Sequence, residues 1–588
     1  MNWDLTRLYR DFDDPRLMRD FEAIETRAPQ EAQALDSAQR GADAVPVIER
    51  ALQALNELTD ISIRLDGMLM LTRSVDATNA RAGALMDRFF AAMNQMSRLT
   101  SALSRYLGGV EDLEAVIAQS ETLKAHAHYL RRAQAEARHL IPQALEETVL
   151  NMQATGSRAW EQLRNTLDGT LTIEFEQDGE RRGLSLAQVR ALAYHPDADV
   201  RRRAYEAELA AYPAIEHSMA ACLNGIKGES LTVLALRGYE SALDQSLTAC
   251  QMDRETLGAM LSAMKESLPA FRRYFKAKAR ALGHENGLPF YDLFAPMGAD
   301  TQRFTLDEAR AYLIQVLGAF SKKMADFVDR AFEERWIDPL PRPGKTGGAF
   351  CMGIPGLEIS YILSNFDGSL SAVSTLAHEL GHAYHNECMK GLSVLGHDYP
   401  MPLAETASIF NETLLSQTAL KDADGEQAIQ LLDSEITEAA QVIVDILSRY
   451  LFETEVFRRR RDHALPPEEL KEIMLEAQRQ SYGDGLDGRC LHPYMWACKS
   501  HYYSADLHFY NFPYAFGLLF GKGVYARYRQ RGEAFLSEYD ALLRATSSGS
   551  AREVAARVGI DLTDIEFWRA SLREIEEAID RFVGLVGK

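Results

Sequence analysis

Between Thr375 and His385 the chain reads Thr-Leu-Ala-His-Glu-Leu-Gly-His-Ala-Tyr-His, and this stretch makes chemical sense only as a helix. Residues four apart share a helix face, so the imidazoles of His378 and His382 can grip one metal ion while Glu379 sits beside it. Ser369 to Ser374 read as the start of that helix, with Ser369 as its N-cap. The pattern is that of the first two ligands of a zinc hydrolase.

Fourteen histidines in 588 residues make an accidental match improbable. Residue frequencies give about 0.03 chance occurrences of H-E-x-x-H in a chain this long. Two histidines on an ordinary amphipathic helix are the competing reading, so the neighbouring residues decide.

A catalytic zinc site takes three protein ligands and keeps a position for water, whereas a structural site is closed by four. The third ligand is expected at Glu405, 23 positions beyond His382, on a helix spanning 403–412 with Pro402 in its first turn. Glu412 follows two turns later on the same face and is placed to hydrogen-bond a ligand imidazole. His385, one turn beyond His382, reads more readily as structural than as a ligand. Gly381 puts no side chain between the histidines, which lets another backbone pack closely.

Upstream, residues 1 to about 165 carry helical periodicity, clearest at Val47 to Leu65 and Ala82 to Leu107, without a fixed-period repeat. Leu171 to Glu176 alternates apolar and polar residues, and Asp178-Gly179 suits a tight turn before Gly183-Leu184-Ser185, so a β-hairpin is expected. Helices resume from Val200 to about Trp336. Pro339, Pro341, Pro343 and Gly344 then break the pattern, and two short strands are expected at Gly347 to Cys351 and Glu358 to Leu363 around a Gly353 to Gly356 turn. A strand immediately before the metal helix could offer its free edge to an extended peptide.

A hydrophobic share of 46% supports a large core and more than one lobe. No apolar run approaches the length of a membrane span, and the residues from Asn2 to Arg7 lack a basic segment leading into an apolar one, so an unexported soluble protein is expected. Six scattered cysteines without C-x-x-C pairs suit free thiols in the cytoplasm. A formal charge of -21 argues against nucleic acid as a partner. The one basic run, Arg458 to Arg461, reads as a solvated helix face.

The aromatic segment His501 to Gly517 is dense enough to be core. Amide hydrolysis nevertheless creates an oxyanion, and imidazole or phenol donors stabilise it. His501, His508, Tyr510 and Tyr514 are the candidates, and the sequence does not select among them.

These residues resemble the oligoendopeptidase F branch of the thimet-oligopeptidase-like zinc metallopeptidases. The likeness includes Gly344 to Phe350, Asn365 to Gly368, Ala404 to Ser408, Phe410 to Glu412, Phe509 to Tyr514, Gly549-Ser550 and Val558 to Leu562. It spans most of the chain, with the first 110 residues matching by helical character. The resemblance implies a mainly α-helical, elongated, two-lobed metallopeptidase with a deep central channel and a small β-sheet beside the zinc helix. An N-terminal helical lobe would occupy 1–200, including a hairpin near 171–184, and a catalytic lobe 201–588. One Zn2+ would be held by His378, His382 and Glu405, with Glu379 as the base that takes a proton from a metal-activated water. A histidine and tyrosines of the later segment would assist the oxyanion. The spacing departs from the H-F-Y-x-x-F-Y arrangement, leaving the histidine open between His501 and His508. Short peptides are the implied substrates, cut internally. A metallocarboxypeptidase of similar build and a non-catalytic peptide-binding relative are the alternatives.

Overall fold

The computed structural model describes residues 2–38, 44–177, 179–298 and 302–587, the side chain of Gln143 aside, and is mainly helical with five short strands among the described residues. It comprises two compact units, each drawn from three stretches of chain. One contains Ile141–Thr301, Ala419–Ala526 and Ile560–Lys588, the other Met1–Leu140, Gln302–Thr418 and Arg527–Gly559. This interleaving differs from a consecutive division at residue 200, because each unit is completed by segments that return from later in the chain.

The first of these units opens with helices and the expected hairpin. Strands β1 (Thr172–Gln177) and β2 (Glu180–Ser185) pair antiparallel from Thr172↔Ser185 to Gln177↔Glu180. Ile173 and Phe175 are buried while their neighbours are exposed, which is the period-two pattern of a half-covered strand. Of the expected turn residues, Asp178 lies outside the described residues and Gly179 has φ +79°. The core is built by long helices such as Arg254–Ala281, capped by Asp253, which packs against Ile565–Val586. The first helix buries Leu257, Met260, Met264, Phe271 and Phe275 and the second Trp568, Leu572, Ile575 and Phe582, with the rings of Tyr274 and Phe582 meeting between them at 5.1 Å. Each such side chain contributes about 1.5–3 kcal/mol when fully buried. The basic run belongs here, and only part of it is a solvated face. Arg459 is tied to Glu455 and Glu469, and Arg460 donates to the Asn224 carbonyl.

In the other unit, helices α1 (Pro15–Ser37), α2 (Ala44–Val75) and α3 (Ala80–Gly108) pack on one another. Leu17, Phe21, Ile24, Ala28, Ala32 and Leu35 of α1 recur at three and four spacings on its buried face. Asp14 and Asn79 cap α1 and α3 by accepting from the backbone N–H groups of Arg16 and Ala82.

A three-stranded sheet follows. It contains β3 (Ile337–Asp338), β4 (Phe350–Ile354) and β5 (Ile359–Leu363) in the order β3-β5-β4. β3 runs parallel to β5 and β4 antiparallel to it. The strand immediately before the metal helix is therefore the central one, buried at all five positions, and the outer edge belongs to β4. The sequence hid this because β3 is only two residues long. The proline loop after β3 is fastened by Asp338, whose carboxylate is buried against Arg342 and Lys345. Lys345 also donates to the carbonyls of Leu340 and Ser364, which ties the loop to the end of β5 without regular structure.

Candidate active site

Helix α4 (Leu370–Cys388) begins where the sequence places it. Ser369 accepts from the Ala372 N–H at 3.1 Å, and Asp367 fixes Ser369 by accepting from its N–H and hydroxyl. The succeeding helix, α5 (Thr406–Asp422), starts one residue after Glu405, so Glu405 stands at its mouth rather than within it. Pro402 lies in a preceding short turn, Met401–Leu403. There it stands among the first residues of that turn, and the helix itself opens only at Thr406.

Two contacts lock α4 against α5. A Cβ on Gly381 would stand 2.6 Å from the Ala407 carbonyl oxygen and the Ser408 Cα, so the two backbones touch where glycine leaves room. Buried Asn411 donates from Nδ2 to the Ala377 carbonyl at 3.1 Å. The sequence shows the purpose of Gly381 but gives Asn411 no role.

This packing brings three ligand atoms together. His378 Nε2 and His382 Nε2 are 3.1 Å apart, and each lies 3.4 Å from Glu405 Oε2. Donors about 2.0–2.1 Å from a tetrahedral zinc ion are separated by about 3.3 Å, so the triangle fits such an ion. Among the described residues these three form the one group of histidine, cysteine and acidic side chains close enough to hold a metal.

Around the triangle, other side chains fix the ligands. Glu412 Oε1 is 3.3 Å from His378 Nδ1, which turns the Nε2 of that ring toward the metal position. Ser408 Oγ donates to Glu405 Oε2 at 2.5 Å and steers the third ligand. No signal in the sequence separates Ser408 from an ordinary helix-start serine.

The electrostatics also suit a cation. Burial disfavours a protonated His378, but the Glu412 hydrogen bond and the charges of Glu412, Glu405 and Glu379 outweigh it and raise the imidazole to about 9. Burial lowers His382, against the pull of Glu405. Glu379 is 6% exposed, and burial together with the Glu405 and Glu412 carboxylates lifts it to about 7, against the opposing charge of His378. Acidic groups crowd two imidazoles, and a divalent ion would balance them.

His385 is not a ligand. It is fully buried, with Nε2 at 2.8 Å from Thr546 Oγ1 and 3.2 Å from the Leu543 carbonyl, and its ring stacks on Tyr399 at 4.5 Å. Burial and the nearby His382 hold it down to about 3, so it is a neutral pin for the end of α4.

In the other unit, three of the four expected donors cluster. The Tyr510 ring lies 5.4 Å from His501 and 5.4 Å from Tyr514. Burial and the positive charges of Arg449, Lys499 and Arg164 lower His501, leaving a neutral imidazole. Tyr514 is 37% exposed in the first turn of helix Phe512–Arg531. His508 stands apart from this group, 3% exposed and packed on Phe457.

The same chain matches known peptidases. The model of peptidase family M3 covers residues 191–574, and that of oligopeptidase F covers 109–173. Group B oligopeptidase PepB of Streptococcus agalactiae is 26% identical, across 100% of this chain and 97% of the relative. Oligopeptidase PepF of Bacillus subtilis is 23% identical over 93% and 82% of the two chains. Among solved structures, a Chlamydophila abortus protein described as a peptidase superposes with a TM-score of 0.85 at 22% identity, covering 99% and 98% of the chains. Oligoendopeptidase-F of Enterococcus faecium gives 0.71 at 18% identity over 97% and 98%. These superpositions establish a shared fold. With the family model spanning well over half of its length, the chain belongs to peptidase family M3 and is a metalloendopeptidase acting on peptides.

Proposed function

We propose that the chain is a zinc-dependent oligoendopeptidase that hydrolyses internal bonds of short peptides, with Glu379 as general base. The observation that carries this reading is the triangle of His378, His382 and Glu405 donor atoms at 3.1–3.4 Å with the Glu379 carboxyl on the same helix. When bound, zinc supplies a Lewis acid that polarises the scissile carbonyl and acidifies water. Glu379 takes the proton of the attacking water and returns it to the departing amine nitrogen, so hydrolysis balances without another reactant. Glu412 and Ser408 hold His378 and Glu405 in register throughout. We assign the oxyanion donors to His501, Tyr510 and Tyr514, whose N–H and O–H groups match the charge that develops on the carbonyl oxygen. The outer edge of β4 pairs with no strand among the described residues and suits an extended peptide.

Six free thiols suit a reducing cytoplasm, where we place the enzyme. Glu379→Gln tests the base directly. It is expected to retain one zinc per chain by elemental analysis while losing about three orders of magnitude in kcat on a quenched peptide. Turnover at the parent rate would exclude Glu379 from the proton transfer.

A further inference from the structure

Beneath the aromatic segment lies a buried ion pair that the proposed chemistry does not use. Lys227 belongs to helix Glu216–Leu236 and Glu453 to helix Ile446–Arg460. Their side chains are 1% and 2% exposed, with Nζ and Oε1 2.7 Å apart. Burying two charges costs about as much as their attraction returns, so such a pair is weak evidence for stability. Its remaining contacts indicate what it holds.

Two of them reach one loop, 508–509, and a third meets Phe457, on which that loop packs. The second carboxylate oxygen of Glu453 accepts the backbone N–H of Phe509 at 3.1 Å. Phe509 has φ +51°, a left-handed conformation that a bulky residue adopts only when its surroundings enforce it. Lys227 Nζ lies 3.3 Å from His508 Nδ1 and 4.7 Å from the centre of the Phe457 ring. Burial and the Lys227 charge keep His508 neutral, so its Nδ1 accepts from the ammonium. Ser246 Oγ donates to the His508 carbonyl at 2.5 Å, and the Phe509 ring stacks on Phe457 at 5.9 Å. The next residue is Tyr510, whose ring sits beside His501 and Tyr514.

We propose that Lys227 and Glu453 are a latch that holds Phe509 in its left-handed turn and thereby aims the Tyr510 phenol. They are positioning residues, and His508 serves the latch through its ring and carbonyl. Without the Glu453 acceptor, Phe509 relaxes to an ordinary extended or helical φ, and the chain entering Tyr510 rotates. The inference rests on the reading of Tyr510 as an oxyanion donor.

Paired substitutions test it without stranding a buried charge. Lys227→Met/Glu453→Leu keeps the volume apolar and removes the acceptor, whereas Lys227→Met/Glu453→Gln keeps an amide oxygen for the Phe509 N–H. On a quenched peptide the Leu pair is expected to lower kcat by about 10-fold or more with KM changed less than about 2-fold, since small misplacements of a catalytic group cost rate rather than affinity. The Gln pair is expected to recover most of that loss. Added to Tyr510→Phe, the Leu pair is expected to cost nothing further, because the group it aims is already gone. Ser246→Ala, which removes one hydroxyl from the same loop, gives a milder fall in kcat and serves if the Leu pair does not fold. Parental kcat in a folded Leu pair or in Ser246→Ala, losses that multiply with Tyr510→Phe, or absence of rescue by the Gln pair would overturn the latch alone. Parental kcat in Tyr510→Phe would overturn the donor reading and the catalytic role of the latch with it.

Discussion

Ser408 and Glu412 touch the proposed ligands Glu405 and His378 without reaching the position a metal would take. Ser408 donates to the Glu405 oxygen that completes the triangle, and Glu412 faces the far nitrogen of His378. Removing such supporting partners typically weakens metal binding about 10–100-fold. Glu412→Gln and Ser408→Ala are therefore expected to weaken zinc affinity in a competitive chelator titration while leaving the fold intact; unchanged affinity in both would remove their orienting role. The sequence reveals Glu412 through its helical spacing from Glu405. It cannot reveal Ser408, because a serine three residues on looks the same whether it caps a backbone or steers a ligand. His508 shows the opposite limit: its aromatic neighbours suggest a donor, whereas the fold buries it beside Lys227 and Phe457. Its folded pKa is depressed, so the unfolded chain binds the extra proton, and the stability it contributes is present above the unfolded value and lost on acidification below it. His508→Gln is expected to flatten the fall in Tm between neutral and mildly acidic pH; an unaltered slope would show that His508 does not titrate on unfolding.

At the scale of elements, one glycine decides whether the ligands meet. α4 carries the proposed ligands His378 and His382, Glu405 precedes α5, and the helices touch at Gly381 with no room for a methyl group. The obstacle is backbone, which cannot rotate aside. Gly381→Ala is expected to force the helices apart at about 1–3 kcal/mol, the usual range for overpacking, and to lower zinc occupancy. A parental melting temperature with full zinc content would contradict the close packing. The helix itself was legible because capping by Ser369 and the four-residue histidine spacing are local signals. The order of the sheet was not. Whether β5 lies at the edge or the centre depends on β3, a two-residue strand whose pairing is set by tertiary contact rather than by its own composition.

At the scale of the whole molecule, periodicity identified a mainly helical chain but not which segments complete which unit. The stretch Arg527–Gly559 returns to the unit that contains His378, His382 and Glu405, placing Leu543 and Thr546 on His385 and Asp540 on Tyr384. Such long-range closure has no local signature. The three residues proposed as ligands, by contrast, were legible as a candidate set, since metal sites demand particular residue types at particular spacings, and the fold brings their donor atoms within 3.4 Å of one another. The most direct test of the account is mass spectrometry of the products from a peptide blocked at both ends, digested with and without chelator. Internal fragments that disappear on chelation and return with stoichiometric zinc are predicted. Cleavage that survives chelation, or activity confined to stepwise release from peptides with a free C-terminal carboxylate, would contradict a zinc-dependent endopeptidase.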